Sequence, residues 1–384
     1  MTSNSFVDEI IKKDRKTFFN DLKSCSNKHI GKESSKDEKS NRGEEPNRKN
    51  DVHLIADFTE YNPFHNGHLY NLNLAKKKVP NGIFVAILPG LFERSGRGTP
   101  YIMTRYGRAE IAISLGADIV VEGPPMGIMG SGQYSSSLAL MFQALNTDYI
   151  PRGYNPSEDF NPIIEHIEMG RGVAPKPYKI VDIESKEVLL NGKLKEDNYV
   201  IVSLSKSLHK INFNFKNKFI FIKRIENVSG TKIRKAIEIG DFNILEDSLP
   251  KETIAILKRE INENKAPLHN FRSYESILNS VNKLSFKELL SLNLINEKTA
   301  INFIKKREKE PFNSIDDVIN SIHYGFSTHF QNRVLSVLES NISKDAISKY
   351  INNYPPIIRV LQYKNENVLD SFKERINGNK VEIC

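Results

Sequence analysis

The chain has 384 residues, enough for two folded units and a tail, with 39% apolar and 27% charged residues, an ordinary globular balance. No stretch has the apolar length that crosses a bilayer, and no apolar, cleavable leader follows the N-terminus, so the expected location is the cytoplasm and a membrane role is excluded. Two cysteines, Cys25 and Cys384, exclude a disulfide framework or a Cys-based metal cluster, and a net charge of +8 favours a polyanionic partner without fixing a chemistry.

Residues 1–50 read as a flexible charged extension, with a possible helix from Phe6 to Leu22 and then a polar run from Ser24 to Asn50 that buries too little to fold alone. From Val52 the pattern changes to short apolar strands alternating with helices. Strands are expected at His53–Phe58, Ile83–Leu88 and Asp118–Val121, one ends near Ile150, and another is centred on Phe219–Ile222. Helices fall at His68–Lys78, Met103–Leu115, Tyr134–Asn146 and Tyr199–Ile211, and a further one opens at Ser229. Such alternation predicts an α/β domain over 51–245, a doubly wound parallel sheet whose ligand lies beyond the carboxyl ends of the strands. Residues 246–384 read as an all-α, basic C-terminal domain, with Pro267–Ser273 as a linker.

The densest chemical signal is Glu60-Tyr-Asn-Pro-Phe-His-Asn-Gly-His68, between the first strand and the first helix. Backbone N–H groups at such a helix start receive phosphate. Gly67 permits close approach, and His65 and His68 can both donate hydrogen bonds to oxygens whose charge grows in a transition state. The other seven histidines have no ligand-like spacing to this pair, so no protein-bound metal is expected. Asp57 and Glu60 are secondary site candidates, since an acid at a strand end also serves simply to organise the turn.

His65-Asn-Gly-His68 resembles the His-x-Gly-His signature of the nucleotidylyltransferase superfamily, and Ser229-Gly-Thr-Lys-Ile-Arg234 resembles its second element, Ser-Ser-Thr-x-Ile-Arg. That resemblance implies a Rossmann-like nucleotidyltransferase fold, in which His65, His68 and Arg234 are catalytic and Ser229 and Thr231 help hold the outer phosphates of ATP. The stretch from Glu60 to Tyr70 is similar to the opening motif of the tRNA(Met) cytidine acetate ligase family. This implies binding of ATP with Mg2+ by Asn62, Phe64, Gly67, Gly153, Asn198 and Arg224 in addition to those residues. It also implies activation of a small carboxylate, acetate, with loss of pyrophosphate, and acylation of the wobble cytidine of elongator tRNA(Met). Pro89 and Glu93 depart from that family's Ser and Gln, and Arg94 is followed by Ser-Gly-Arg-Gly in place of Gly-Glu-Pro.

Within the C-terminal region, 285–338 resembles helix-hairpin-helix modules, in which hairpin amides meet a nucleic-acid phosphate. Lys298, Lys305, Lys306 and Arg307 are its candidate nucleic-acid contacts, although Leu294 and Asn296 stand at the expected hairpin glycines. A second copy around Ile322–Leu335 would place Gly325 in its hairpin. Two alternatives stay open: transfer of AMP or CMP to a phosphorylated small molecule, using Arg94, Arg97, Arg105 and Arg108, or a nucleic-acid-binding protein with a vestigial nucleotide site. The sequence does not fix the oligomeric state.

Overall fold

The computed structural model describes residues 5–26, 52–225, 228–269, 271–323, 327–376 and 379–384. The chain opens with α1 (Ser5–Ser26) and then runs β1 (Leu54–Phe58), α2 (Asn66–Lys78), β2 (Ile83–Pro89), α3 (Arg105–Ser114), β3 (Ile119–Gly123), α4 (Ser131–Ala144) and β4 (Ile150–Tyr154). Next come α5 (Asn161–Glu168), β5 (Val173–Lys176), β6 (Lys179–Asp182), β7 (Val188–Asn191), α6 (Glu196–Lys210), β8 (Phe219–Lys223) and α7 (Gly230–Glu238).

The parallel sheet expected from the strand–helix alternation is present. β1, β2 and β3 pair in parallel, and so do β4 and β8. Across the seam, Ala56 N–H donates to Tyr149 O (2.9 Å) and Leu54 O accepts from Tyr149 N–H, so β4 and β8 continue the layer beyond β1. Strands β1 to β3 are buried at every position, which explains their unbroken apolar runs. Since β2 and β4 lie on opposite sides of β1, the crevice of the fold opens at the carboxyl ends of β1 and β4.

The helices that follow are α8 (Lys251–Asn262), α9 (Tyr274–Lys283), α10 (Phe286–Ser291), α11 (Glu297–Lys309), α12 (Ile315–Ser321), α13 (Thr328–Ser340) and α14 (Lys344–Asn352). The chain then returns to the α/β body as β9 (Ile358–Tyr363), α15 (Glu366–Arg375) and β10 (Val381–Ile383). The C-terminal region is therefore helical up to α14, while β9 pairs antiparallel with β3 and β10 covers β9. This addition protects a sheet edge that β3 would otherwise expose. A second unforeseen feature is the antiparallel sheet of β5, β6 and β7 between α5 and α6, and β4 begins at Ile150 where a strand end was expected.

The helix expected near the N-terminus forms, but α1 is part of the core rather than of a flexible tail. Val7, Ile11 and Phe18 recur at helical spacing and are buried, and Phe18 stacks on Tyr350 of α14 (centroids 4.7 Å apart). On the same face, the buried Asp14 carboxylate pairs with Arg105 (2.7 Å) and accepts from Phe92 N–H (2.6 Å). Asp21 is held by Arg359 of β9. Residues 27–51 lie outside the described residues.

Candidate active site

A cleft of about 410 Å3 lies over the β1–β4 seam. The N-termini of α2 and α7 meet there, bringing two sets of partly positive backbone N–H groups to one place. His65 is the N-cap of α2 and Ser229 that of α7, where the Ser229 hydroxyl accepts from Lys232 N–H (3.5 Å). Of the residues expected to bind nucleotide, Asn62, His65, Gly67, His68, Gly153, Arg224, Ser229, Thr231 and Arg234 all line this cleft, although 172 positions separate Asn62 from Arg234.

The two histidines stack with ring centroids 3.7 Å apart and planes 16° apart, and His68 Nδ1 accepts from His65 N–H (3.3 Å). The proton of a neutral His68 ring is then on Nε2. Burial and the Arg224 charge lower the His65 pKa to about 4. Burial, His65 and Arg224 hold that of His68 well below its ordinary value. Both rings are therefore neutral hydrogen-bond donors near pH 7. A Cβ at position 67 would come within 3.0 Å of the His65 ring, so glycine there preserves the stack.

Arg234 is aimed by two acceptors, donating from Nη1 to Asn62 O (3.1 Å) and from Nη2 to Thr231 Oγ1 (3.1 Å). Arg224 is paired with Asp197, which also lines the cleft. On the floor, Arg152 of β4 bridges Asp57 (3.2 Å) and Phe58 O (2.7 Å) at the end of β1. Burial raises the Asp57 pKa to about 6 against the pull of Arg152. The pairing of Asp57 with Arg152 and the place of Asp197 were not legible, because each depends on a contact far along the chain. The position of Arg152 beside Gly153 at a strand end was the available signal.

Two expected nucleotide contacts lie elsewhere. Phe64 is fully buried and packs on Tyr61 and His68 beneath the cleft, so it supports His68 from below. Asn198 is also buried, its side chain accepting from Asn155 N–H and donating to Asn155 O (both 2.9 Å), so it fixes the loop after β4. Of the four arginines considered for a phosphorylated acceptor, Arg97 alone lines the cleft. Arg94 is held by Glu339, Arg105 by Asp14, Glu93 and Glu122, and Arg108 by Glu93 and the carbonyls of Glu60 and Pro89.

The hairpin between α10 and α11 turns inward. Leu294 takes the left-handed conformation (φ 63°) while Asn296 is the N-cap of α11. Asn293 N–H donates to Ile342 O (3.0 Å), its side-chain amide to Ile128 O (2.7 Å), and Leu292 and Ile295 are buried. The Asn293 backbone N–H is thus used within the helical region, and its side-chain amide docks that region onto the α/β body at Ile128. Arg307 caps α9 through Val281 O and Leu284 O, and Lys306 pairs with Glu310, whereas Lys298 and Lys305 are exposed. Gly325 of the expected second copy lies outside the described residues. Among the described residues, no three His, Cys, Asp or Glu side chains form a metal cage, and no helix is long and apolar enough to cross a membrane.

Comparison with known proteins agrees with this architecture. Residues 53–170 match the HIGH Nucleotidyl Transferase family and residues 155–362 the Cytidyltransferase-related C-terminal region. An uncharacterized protein of Methanocaldococcus jannaschii is 47% identical over 321 residues, 83% of this chain and 87% of that one. The tRNA(Met) cytidine acetate ligase of Thermotoga maritima is 25% identical over 360 residues, covering 82% of this chain and 83% of that one. Its namesake in Thermosipho africanus is 30% identical over 248 residues, 56% and 57% of the two chains. The crystal structure of Thermotoga maritima TmcAL bound with alpha-thio ATP shares the fold, with a TM-score of 0.68 at 22% identity over 87% of this chain and 85% of that one. The two family models together span residues 53–362, and the start of α2 over the seam holds the signature histidines opposite the start of α7: the chain belongs to the HIGH-type nucleotidyltransferase superfamily.

Proposed function

We propose that this protein is an ATP-dependent ligase that activates acetate as acetyl-adenylate and passes the acetyl group to a tRNA cytidine, the wobble base of elongator tRNA(Met). The convergence of the α2 and α7 N-termini with neutral His65 and His68 and with Arg224 and Arg234 carries the reading. It is a site for a polyphosphate whose α-phosphorus is attacked.

A carboxylate oxygen adds to the α-phosphorus, and the bond from that phosphorus to the bridging oxygen breaks. Pyrophosphate leaves, and Mg2+ entering with the ATP would neutralise part of its charge. No general base is needed, since acetate is already ionised near pH 7. His65, His68 and Arg234 stabilise charge moving onto the departing oxygens, with Ser229 and Thr231 holding the outer phosphates. Gly153 and Arg224 border the nucleoside. In the second step the cytidine N4 amine attacks the acetyl carbonyl carbon, AMP departs from it, and the amine gives up a proton.

The engagement of Arg94, Arg105 and Arg108 by buried carboxylates speaks against a phosphorylated small-molecule acceptor, which would need cations left for it. The relatives named tRNA(Met) cytidine acetate ligase support an RNA acceptor. For RNA contact we assign the exposed Lys298 and Lys305 rather than Lys306 and Arg307, which are occupied within the protein.

The test is pyrophosphate release from Mg-ATP with acetate, with and without bulk tRNA, in the wild type and His68→Ala. The expected result is release that depends on acetate and tRNA, is lost in the variant, and leaves N4-acetylcytidine in the digested RNA. Release indifferent to both, or AMP or CMP transferred to a phosphorylated small molecule, would overturn the proposal.

A further inference from the structure

A short loop over the cleft, residues 95–99, is fixed to a degree that its polar, glycine-rich sequence, Ser-Gly-Arg-Gly-Thr, does not suggest, with Arg97 its one exposed residue. Ser95 N–H donates to Thr99 O (2.8 Å), Gly98 N–H donates to Ser95 O (2.8 Å), and the two hydroxyls of Ser95 and Thr99 share a bond of 2.8 Å. Gly96 N–H donates to Glu60 Oε1 (2.7 Å), tying the loop to the start of the signature motif. From the helical region, Arg272 Nη2 (2.6 Å) and Ser336 Oγ (2.9 Å) both donate to the Gly98 carbonyl. The residue this clasp presents to the cleft is Arg97.

Arg97 faces the same space as Arg234. Burial and the nearby Arg97 charge lower the Arg234 pKa, with Glu60 opposing. A cation near enough to disfavour the charged form of Arg234 marks a place where a bound anion is stabilised. A fixed loop also spares the backbone ordering entropy that a mobile loop would lose on binding.

We infer that Arg97 is a further binding residue of this site, a cation that closes on the outer phosphates of the nucleotide and on the pyrophosphate leaving group, with Arg272 and Ser336 as its positioning residues. This rests on the reading of the cleft as an ATP site and deepens it: the pyrophosphate subsite is shared by the α/β body and the helical region. The loop replaces the Gly-Glu-Pro of the acetate ligase motif, so the cation is a property of this chain's own sequence.

The experiment is calorimetric titration of the full chain with inorganic pyrophosphate and Mg2+, comparing wild type, Arg97→Ala, Arg97→Lys and Ser336→Ala, with melting temperatures measured alongside. Arg97→Ala is expected to weaken binding roughly tenfold, as loss of a charge-assisted contact does, with unchanged melting. Arg97→Lys should recover part of the loss, and Ser336→Ala should weaken binding about threefold by loosening the loop. Equal affinity in wild type and Arg97→Ala overturns the inference and leaves the ATP reading standing. Weakened pyrophosphate binding with no acetate- or tRNA-dependent turnover in the wild type sustains the inference while the ligase reading fails. An Arg97→Ala defect confined to the tRNA requirement overturns it in favour of RNA contact.

Discussion

His68 receives the backbone N–H of His65 on Nδ1 at 3.3 Å while the two rings stack 3.7 Å apart, so one short turn fixes tautomer and orientation together. The nitrogen left for a ligand is Nε2, a neutral donor beside the start of α2. Replacing His68 by Ala should lower the rate of pyrophosphate release roughly 10²–10³-fold, the usual effect of deleting one preorganised donor. The variant should still melt cooperatively, at a lower temperature than wild type, because the ring also packs on Tyr61 and Phe64 and accepts the His65 N–H. A variant with wild-type turnover would show that the ring has no part in the reaction.

Acid stability offers a check on the electrostatics. The His65 pKa is lowered from 6.5 to about 4, so between those values the unfolded chain binds more protons and stability rises with pH. This stability is present above pH 6.5 and is lost as pH falls towards 4. Asp57 acts with the opposite sign: raised from 3.8 to about 6, it takes up protons more readily when folded, so its contribution declines as pH rises through that window. With His68 shifted in the same direction as His65, the histidines should dominate, and urea stability of the wild type should fall below pH 6.5. His65→Gln should flatten that slope and Asp57→Asn should steepen it. Slopes that do not respond in these opposite senses would contradict the assigned burial of the two groups.

Asn198 and Arg224 separate positioning from binding. Asn198→Ala removes both hydrogen bonds to the Asn155 backbone and should cost about 1–3 kcal/mol of stability, with nucleotide affinity falling because the loop after β4 loosens. Arg224→Ala, at a half-exposed side chain, should weaken nucleotide binding with little change in stability. Parallel melting and nucleotide titrations distinguish the two; a stable Asn198→Ala would remove its positioning role.

Much of this site was legible because its chemistry sits where strands turn into helices. The Asn62-to-His68 run and Ser229-Gly-Thr-Lys-Ile-Arg234 were both recognisable at helix starts, and the apolar runs of β1 to β3 announced a doubly covered parallel sheet. What stayed hidden were side-chain partners distant in the chain. Asp57 finds Arg152 95 positions away, Asp14 finds Arg105 at 91, and Arg272 finds Gly98 at 174. A charged residue reads as solvated until the fold supplies its counter-charge, so α1 was legible as a helix and not as a core element. Asn198 and Phe64 fell at motif positions but face inward, a direction that spacing alone does not give.

The α1 helix should be integral to stability. Asp14 is buried, satisfies Phe92 N–H and pairs with Arg105, which stays charged against burial through Glu122, Asp14 and Glu93. Asp14→Ala would leave a buried amide and part of a buried guanidinium without their partner, and should cost about 3–5 kcal/mol in urea unfolding. Asp14→Asn, which keeps an acceptor, should lose less. A substitution within 0.5 kcal/mol of wild type, roughly the scale of an exposed site, would mean that α1 is peripheral.

Gly98 joins the two halves of the site through its backbone. Its φ of 76° lies in the left-handed region, and an added Cβ would stand 2.3 Å from Arg333 N and 2.4 Å from Asn332 C. Both atoms belong to the α13 backbone, so no side-chain rotation can relieve the clash, and the loop or the helix must move. Gly98→Ala should therefore destabilise the protein by more than about 1 kcal/mol, beyond the strain of the dihedral alone. Any relief that moves the loop also lengthens the Arg272 and Ser336 contacts to the Gly98 carbonyl, so pyrophosphate affinity should fall together with stability. In Ser336→Ala, by contrast, α13 keeps its place and affinity should fall with a smaller loss of stability. Measured in the same melting and titration experiments, a Gly98→Ala protein with native stability and native pyrophosphate affinity would show that the loop does not need the helical region to hold it over the cleft.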